Sequence, residues 1–381
     1  MNESRRLALL SDIMGWNDTE ATHEFAWLKL MAAIKYDDYR DYLPGMRFFE
    51  NLAAWLQQFK PGDERAVAYD LLRNRMIYIS PAEMQRLVEL MYPCAIERQL
   101  INTIAARRGI PPYKVRIDPE ARADLKKLLR RTLILGLSDG ARIDILRHST
   151  VGTLSNEQFV IQTQVDQFKW KSLLKDLRKA NPNDPKAVFE VVFLVDDFMG
   201  TGSSFLRFDS EEQKWTGKLC KFLKSLHHAQ NGLEEPLVSD NWQLCVHHYL
   251  ATQRAKFSVP AAEEKAIAES VVEGLTKKSI YTFGEVIDES ILISAAKPDD
   301  ASLISLTEAY YSRKIETEHT KIGGVERINL GYGGCALPLV LHHNTPNNSL
   351  PLLWAEVEAG DHEGQAQPEM RPLFRRRQRH T

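Results

Sequence analysis

The sequence has few cysteines and no long apolar run. Four cysteines occur, at Cys94, Cys220, Cys245 and Cys335, and none of them forms a CxxC pair. This spacing indicates neither a zinc site nor a disulfide framework. No stretch approaches the roughly 20 consecutive apolar residues that a membrane-spanning helix requires. We therefore expect a cytoplasmic protein with reduced thiols and no membrane anchor.

A large net charge is also missing. The chain has 381 residues and a formal net charge of -2, so the protein as a whole should not attract nucleic acid. Hydrophobic residues make up 44% and charged residues 26%, as in ordinary globular domains. The length is sufficient for two or three packed units, and we expect one core domain with an appended helical domain.

The chain changes character near residue 110. Apolar residues recur at helical spacing from Glu24 to about Ala105, which predicts a helical N-terminal domain that could bind a protein partner. A glycine and two prolines then interrupt the pattern, and Asp118 is placed to cap the next helix. The predicted segments are a helical domain at 1–112, an α/β domain at 113–358 and a polar, basic tail at 359–381.

Short apolar runs alternate with helix-like stretches in the second segment. This alternation predicts an α/β fold with a mostly parallel sheet, preceded by the N-terminal helices. The run VVFLV at 191–195 is apolar on both faces, as expected of a central strand that helices cover on either side.

A loop rich in glycine and hydroxyl groups follows this central strand. Asp196 and Asp197 end the strand, and the loop contains Gly200, Thr201, Gly202, Ser203 and Ser204. The carboxyl ends of parallel strands are where open α/β sheets bind ligands. Glycines allow close backbone approach, and the N–H groups of a helix start would favour a phosphate. The paired carboxylates could accept hydrogen bonds from sugar hydroxyls or hold a hydrated cation, so phosphate plus sugar is the natural ligand.

Two other interpretations of this loop are weaker. No lysine follows Gly202, where a Walker A loop requires one for the terminal phosphates. A plain βα turn would explain the glycines, but it would not explain the acidic pair at the strand end.

A second loop lies upstream of the first. The strand predicted at Thr132 to Leu137 is followed by Ser138, Asp139 and Gly140, and Arg142 begins the next helix. Arginine offers a fork of donors that suits a diphosphate. Alternatively, Ser138 or Asp139 only caps the helix and Arg142 is a surface charge.

The segment VVFLVDDFMGTGSS resembles the phosphoribosyl pyrophosphate (PRPP) motif of type I phosphoribosyltransferases, in which apolar residues precede an acidic pair and a Thr/Gly-rich phosphate loop. The resemblance implies that fold over about 113–290. It makes Asp196 and Asp197 the catalytic pair that holds the ribose hydroxyls, and it places the 200–204 loop on the 5-phosphate.

The same resemblance assigns the upstream loop and a cofactor. Ser138, Asp139 and Gly140 would form the pyrophosphate loop, and Arg142 would clamp the diphosphate. Mg²⁺ would act through the substrate and could also contact Asp196 and Asp197. Gly200 departs from the family pattern, because several members carry an acidic or hydroxyl side chain there.

SDGARID and HHNTPNN together resemble a phosphoribosyltransferase-like branch found in bacterial conflict and anti-phage gene clusters. This resemblance implies a protein that binds PRPP or the ribose phosphate of a nucleotide, acts at the anomeric carbon and serves as an effector in antiviral defence. Gly200 leaves open a non-catalytic sensor of PRPP or nucleotide that regulates a partner protein. Either protein could form oligomers.

Two histidine-containing segments remain. His247 and His248 lie on a predicted strand, where period 2 puts them on opposite faces, so at most one can reach a ligand. Strand histidines are more often structural, and we predict no zinc site. The segment His342 to Asn348 could bind a base or a partner, or its asparagines and proline could serve turn geometry alone.

The last two predictions concern a loop and the tail. Thr153 to Gln158 looks like a helix start, capped by Ser155 or Asn156, in a loop that would cover the substrate. The tail carries arginines that we expect to be solvated rather than bound to phosphates. They are Arg371, Arg375, Arg376, Arg377 and Arg379.

Overall fold

A computed structural model describes residues 2–162, 165–362, 365–367 and 369–377. The α-helices are Glu3–Met14 (α1), Asp18–Ile34 (α2), Phe48–Gln57 (α3), Asp63–Asp70 (α4), Pro81–Met91 (α5), Glu97–Arg108 (α6), Pro119–Arg130 (α7), Ile143–Ser149 (α8), Gln167–Lys179 (α9), Lys218–Leu233 (α10), Gln253–Glu269 (α11), Ala301–Ala309 (α12), Glu318–Lys321 (α13) and Pro351–Trp354 (α14). The strands are Ile77–Ile79 (β1), Thr132–Gly136 (β2), Phe159–Val160 (β3), Phe189–Met199 (β4), Arg207–Asp209 (β5), Lys214–Thr216 (β6), Val238–Thr252 (β7), Ile280–Ile287 (β8), Leu339–Leu341 (β9), Gly360–His362 (β10) and Gln365–Gln367 (β11).

The chain forms two compact units. One is Met84–Ile287, and the other joins Met1–Glu83 to Asp288–Thr381. The predicted boundaries after residues 112 and 358 differ from this division. The second unit is discontinuous in sequence because β1 pairs in parallel with β9, from Ile77↔Leu339 to Ile79↔Leu341.

A parallel sheet organises the unit of residues 84–287. Its strand order is β3-β2-β4-β7-β8, and each neighbouring pair is parallel. β4 lies in the middle, and its residues from Val191 to Val195 are fully buried. The prediction of an α/β fold with a mostly parallel sheet and preceding helices is confirmed.

Helices cover the two faces of this sheet with different chemistry. α9 and α10 contribute buried leucines and aromatics, and α11 contributes buried alanines and a valine, to an apolar core with Leu133, Val192 and Leu194. On the other face, the Gln243 side chain of β7 accepts hydrogen bonds from Gln99 Nε2 (3.1 Å) and Thr103 Oγ1 (3.0 Å) of α6. Residues 84–108 therefore belong with the sheet, although their helical pattern resembles that of the N-terminal helices.

An aromatic cluster fills the core of the other unit. Phe374 is fully buried, and five rings surround it with centroid distances of 5.2 to 6.1 Å. These rings belong to Tyr36, Tyr39, Tyr42, Phe48 and Tyr78. A residue near the chain's end thus packs among residues from its first 80.

The basic tail is anchored and not simply solvated, which corrects our prediction. The Tyr39 hydroxyl donates to the Arg375 carbonyl, and the Arg375 guanidinium pairs with Glu356 at 2.6 Å. Arg376 lies over the Trp354 ring, 5.4 Å from its centroid. The buried Phe374 brings these arginines against the unit. Arg379 lies outside the described residues.

The histidine and asparagine segment is built into the same unit. Thr345 is fully buried; its hydroxyl bonds the Tyr39 hydroxyl (2.9 Å) and lies 3.1 Å from the Phe374 carbonyl. Asn348 Nδ2 donates to the Tyr332 carbonyl at 3.1 Å. These bonds favour the turn-geometry interpretation of residues 342–348.

The structure also bears on membrane-spanning helices and on disulfide bonds. Within the residues described, no helix combines the length and the apolar character needed to cross a bilayer. No disulfide links the four cysteines, all of which lie in the described part of the chain.

Candidate active site

The structure brings the upstream loop, which follows β2, against the acidic pair near the carboxyl end of β4. The predicted strand end at Asp197 is too early, because β4 continues to Met199. The Ser138 hydroxyl donates to the Asp196 carboxylate. Gly140 packs so closely on Asp197 that an added methyl group would overlap that carboxylate. Since β2 and β4 pair in register up to Gly136↔Val195, the residues after Gly136 lie beside Asp196 and Asp197 at one edge of the sheet.

Asp196 is buried beneath this edge, with 3% of its surface exposed. One oxygen, Oδ1, accepts from the Ser138 hydroxyl and from the Asp197 N–H (3.2 Å). The other, Oδ2, accepts from the Lys218 ammonium. Burial raises the pKa of Asp196 above its ordinary value, whereas the Lys218 charge acts in the opposite direction. Both oxygens of this carboxylate therefore already accept hydrogen bonds from protein groups.

Asp197 occupies a different environment from its neighbour. Successive side chains of a strand point to opposite faces, so Asp197 lies against Gly140 and not beside Lys218. Its side chain is half-buried, and Oδ1 accepts from the Phe198 N–H at 2.8 Å. Of the acidic pair, only Asp197 presents surface to a ligand at the sheet edge.

The predicted phosphate loop forms a single tight turn. The Gly202 carbonyl accepts from the N–H groups of Phe205 (2.9 Å) and Leu206 (3.0 Å). Gly202 has φ +80°, and a methyl group there would overlap Val259, so both conformation and space require glycine. The Thr201 and Ser203 hydroxyls bond each other at 2.8 Å. Ser204 is exposed.

The helix that we expected directly after this loop begins later. A hairpin of β5 and β6 intervenes, paired from Arg207↔Thr216 to Asp209↔Lys214, and α10 starts at Lys218. The carbonyls of Ser204 and Phe205 accept from the N–H groups of Lys218 and Leu219, at 3.0 and 3.1 Å. The hairpin is thus an insertion between the first turn and the helix that continues it.

Gly200, the residue that departs from the family pattern, is fixed by the neighbouring strand. The Thr252 hydroxyl donates to its carbonyl at 2.6 Å and accepts from the Ala255 N–H at 3.0 Å as the N-cap of α11. The Ser258 hydroxyl of α11 donates to the Thr201 carbonyl at 3.4 Å. These contacts hold the loop backbone without any side chain at position 200.

The upstream loop is shaped by one short turn. Gly140 N–H donates to the Ser138 hydroxyl at 3.1 Å, as the N-cap interpretation of Ser138 predicted, and Asp139 is exposed. The Tyr249 hydroxyl of β7 donates to the Ala141 carbonyl at 2.8 Å. Arg142 follows with φ +49° and begins α8, so it stands directly after the loop. Capping and ligand binding are compatible roles for this turn.

His247 and His248 point to opposite faces, as the period of the strand predicted. His247 Nδ1 bonds the Thr282 hydroxyl at 2.9 Å. His248 pairs in register with Asp196 and meets the Phe205 ring edge-on, with centroids 5.9 Å apart. His248 therefore lies beside Asp196 and Phe205.

The burial of both imidazoles predicts that the folded protein loses stability in acid. Burial lowers the pKa of His247 and His248 to about 3, below the ordinary value of about 6.5. The unfolded chain then binds protons that the folded protein does not, so stability is present above pH 6.5 and falls as the pH drops below it. We expect each histidine to remove about 2 kcal/mol between pH 7 and pH 5, as measured by urea unfolding.

A single substitution tests whether the two buried histidines cause this loss of stability. His248→Gln should remove about half of the pH dependence between pH 7 and pH 5, since only one of the two buried imidazoles remains. An unchanged pH dependence in this variant would contradict the assignment.

The segment Thr153 to Gln158 does not cover the two loops. Ser155 caps a short 3₁₀ turn, Asn156–Gln158, through a capping box with Gln158. Gln158 Nε2 donates to the carbonyls of Leu129 (2.7 Å) and Thr132 (2.8 Å). Thr132 is the first residue of β2, so this segment lies at the sheet edge opposite the acidic pair. The predicted substrate-covering role is therefore wrong, although the predicted cap is correct.

A cavity of about 550 Å³ lies at that same opposite edge. Its lining residues include Lys126, Lys127, Arg130, Gln158 and Asn181. They precede β2, β3 and β4, whereas the two loops follow β2 and β4. The cavity is thus separate from the candidate site.

Sequence analysis missed three residues of the site. They are Lys218, Tyr249 and Thr252, which contact Asp196, Ala141 and Gly200. The end of β7 held a usable signal, because a hydroxyl residue at a strand end that precedes a helix predicts an N-cap beside the ligand edge. Lys218 had none, since the hairpin separates it from the loop.

A substitution at Gly140 tests whether ligand binding depends on the contact between the upstream loop and Asp197. Gly140→Ala should displace the Asp197 carboxylate or the 138–140 turn. If this edge of the sheet binds PRPP, as the resemblance implies, we expect that binding to weaken about tenfold, equivalent to about 1.4 kcal/mol, as measured by calorimetry. Gly152→Ala is a poor control because Gly152 has φ +84°; Ser149→Ala, at the exposed last residue of α8, serves instead. Unchanged affinity of Gly140→Ala would show that the ligand does not depend on this contact.

The fold and the loops together define a protein of the phosphoribosyltransferase type: a parallel α/β sheet with an acidic pair and a glycine-rich turn at the carboxyl end of its central strand. The PRTase-CE family model matches residues 52–376, so the chain belongs to this phosphoribosyltransferase-type family. No curated protein and no solved structure matches the chain.

Proposed function

We propose that the protein binds PRPP, or the ribose phosphate of a nucleotide, between the 138–140 and 200–204 loops. The observation that carries this proposal is the contact of the upstream loop with the acidic pair that precedes the 200–204 loop, through Ser138 with Asp196 and Gly140 with Asp197. The turn at 200–204 would take the 5-phosphate, and the upstream turn with Arg142 would take the diphosphate. Membership of a phosphoribosyltransferase-type family supports the same ligand class.

The two carboxylates would have separate tasks in this proposal. Asp197 is half-buried and would accept hydrogen bonds from the ribose hydroxyls. Asp196 is a positioning residue, because its bond from Ser138 ties the upstream loop to β4. The resemblance assigns both residues to the ribose, and the burial of Asp196 supports giving that task to Asp197 alone.

The proposed chemistry is transfer at the anomeric carbon. Loss of diphosphate would leave a sugar with oxocarbenium character, so the protein would contribute mainly position and stabilisation of the departing anion. The oxygens of Asp196 already accept bonds from Ser138, Asp197 and Lys218, and this carboxylate does not fit as a direct ligand of Mg²⁺. Any Mg²⁺ would be held by the diphosphate itself.

A sensor is the second candidate function. Position 200 has no side chain, and its carbonyl is occupied by Thr252, so the loop supplies no general base next to the bound sugar. In that case the protein would bind PRPP or nucleotide without turnover and regulate a partner protein, for which the N-terminal helices are the proposed surface.

Calorimetry paired with product analysis separates the two functions. The protein would be titrated with PRPP, then incubated with PRPP and candidate bases and with nucleotides, and the products identified by mass spectrometry. A new nucleotide or a released base indicates transfer. Binding without product supports the sensor, and the absence of binding by PRPP, ribose 5-phosphate and nucleotides contradicts both functions.

We further propose that the protein is an effector in bacterial antiviral defence. The support is the resemblance of SDGARID and HHNTPNN to the conflict-associated branch. Plating of phages on bacteria that express the protein with its neighbouring genes would test this role, with Asp197→Asn as the matched control. Equal plating on both strains would contradict a defence function of this site.

A further inference from the structure

Lys218 occupies the position at Asp196 where a cation would be expected. It is the first residue of α10, and its ammonium pairs with Asp196 Oδ2. The Asp196 side chain is only 4% exposed, whereas that of Lys218 is 33% exposed. One ammonium therefore neutralises the buried carboxylate and still reaches the surface at the edge of the candidate site.

The hairpin insertion explains how the lysine comes to this place. Gly217 ends the hairpin with φ +124°, and a methyl group on it would overlap the Phe205 carbonyl. This close approach sets the start of α10 against the phosphate loop, where the Lys218 N–H donates to the Ser204 carbonyl at 3.0 Å. The same residue thus contacts the phosphate loop through its backbone and Asp196 through its side chain.

A divalent cation would compete poorly for this carboxylate. Mg²⁺ requires oxygen ligands at about 2.1 Å in octahedral geometry, and an ion at that distance from Oδ2 would lie next to the ammonium and be repelled by it. Nor is there a substitute cage nearby: among the described residues, no group of three His, Cys, Asp or Glu side chains could hold a metal ion.

We propose that Lys218 takes the place of a divalent cation at Asp196, so that the ribose phosphate is bound without a metal ion on this carboxylate. This inference rests on the proposed function for its ligand. An ammonium has three donors, and Asp196 accepts one of them, so Lys218 can also donate to the phosphate or to a ribose hydroxyl. Lys218 is then a specificity residue that favours an anionic sugar.

The test uses ribose 5-phosphate, because it lacks the diphosphate that would bring Mg²⁺ with it. The full-length protein should bind this probe with the same affinity in EDTA and in Mg²⁺, within about twofold. Lys218→Gln should bind it about tenfold more weakly in EDTA and regain affinity in Mg²⁺. Lys218→Arg should remain independent of metal. The matched control is Lys221→Gln, an exposed lysine one turn further along α10, which should behave as the unaltered protein.

Metal binding alone provides a readout that does not depend on the ligand. Electron paramagnetic resonance with Mn²⁺ as the probe should detect no ion on the unaltered protein and one ion on Lys218→Gln. If Lys218→Gln does not fold, Lys218→Met is measured in its place. A requirement for metal in the unaltered protein, or equal Mn²⁺ binding by both proteins, would overturn the inference. Failure of ribose 5-phosphate to bind, with the Mn²⁺ difference present, would count against the proposed function and not against the role of Lys218.

Discussion

Asp197→Asn is expected to weaken PRPP binding about 100-fold without lowering the stability of the protein. In the proposed complex the variant would lose two charge-assisted hydrogen bonds to ribose hydroxyls, each contributing about 1.5 kcal/mol, and about 1.4 kcal/mol corresponds to a tenfold change in affinity. The fold should persist because Asp197 is half-buried and Asn can still accept from the Phe198 N–H. Calorimetry measures the affinity, and thermal unfolding measures the stability.

Asp196→Asn should lower the stability of the protein more than its affinity for PRPP. Its removal leaves the Lys218 ammonium without its carboxylate, and we expect the protein to lose about 2 kcal/mol of stability. That figure is below the cost of breaking a fully buried pair, because Lys218 is one third exposed. Asp240→Asn, at an exposed position of β7, is the control that should change neither quantity. Equal effects of the two substitutions would contradict the separate tasks of Asp196 and Asp197.

The distinction between the two aspartates shows what could be predicted from sequence. The run VVFLVDD predicts a buried strand with acids at its end, because burial on both faces leaves a local pattern. Which of the two aspartates is buried depends on which side chains of the neighbouring helices and loops pack against each face of the strand. Lys218 is 22 residues from Asp196, beyond a hairpin that no local pattern related to the loop.

The limits of the two units were harder to predict for a similar reason. Periodicity describes which residues of a helix are buried, but not which element covers them. α6 has the same helical signal as α2 or α3, yet its Thr103 bonds Gln243 of the sheet. The pairing of Ile77 with Leu339 joins residues that are remote in sequence, and neither short strand shows a distinctive alternation.

The anchored tail also changes how nucleic-acid binding should be tested. Deletion of residues 371–381 would remove Phe374 from the aromatic cluster, so a loss of binding after such a deletion could reflect unfolding. Substitution of the arginines one at a time keeps that anchor. An affinity for nucleic acid that is weak and insensitive to each substitution would agree with the small net charge of the chain.

Phe374→Ala should destabilise the unit of residues 1–83 and 288–381 by about 3 to 5 kcal/mol. The phenylalanine is fully buried and lies within aromatic contact of Tyr36, Tyr39 and Tyr78, so its removal leaves a cavity that these rings cannot close without moving. Its backbone N–H donates to the Leu353 carbonyl at 2.8 Å, and that bond is retained in the variant. Urea unfolding, followed by tyrosine and tryptophan fluorescence, measures the change.

Arg371→Ala in the same segment is the control. Its guanidinium pairs with Glu369 at 2.8 Å and is half exposed, and exposed pairs of this kind contribute about 0 to 1 kcal/mol. A small effect of Arg371→Ala beside a large effect of Phe374→Ala would show that one aromatic side chain, and not the charge of the segment, attaches the end of the chain to its unit. Similar small effects of both substitutions would mean that the segment is not part of the core in solution, and the arginines would then be solvated as the sequence pattern predicted.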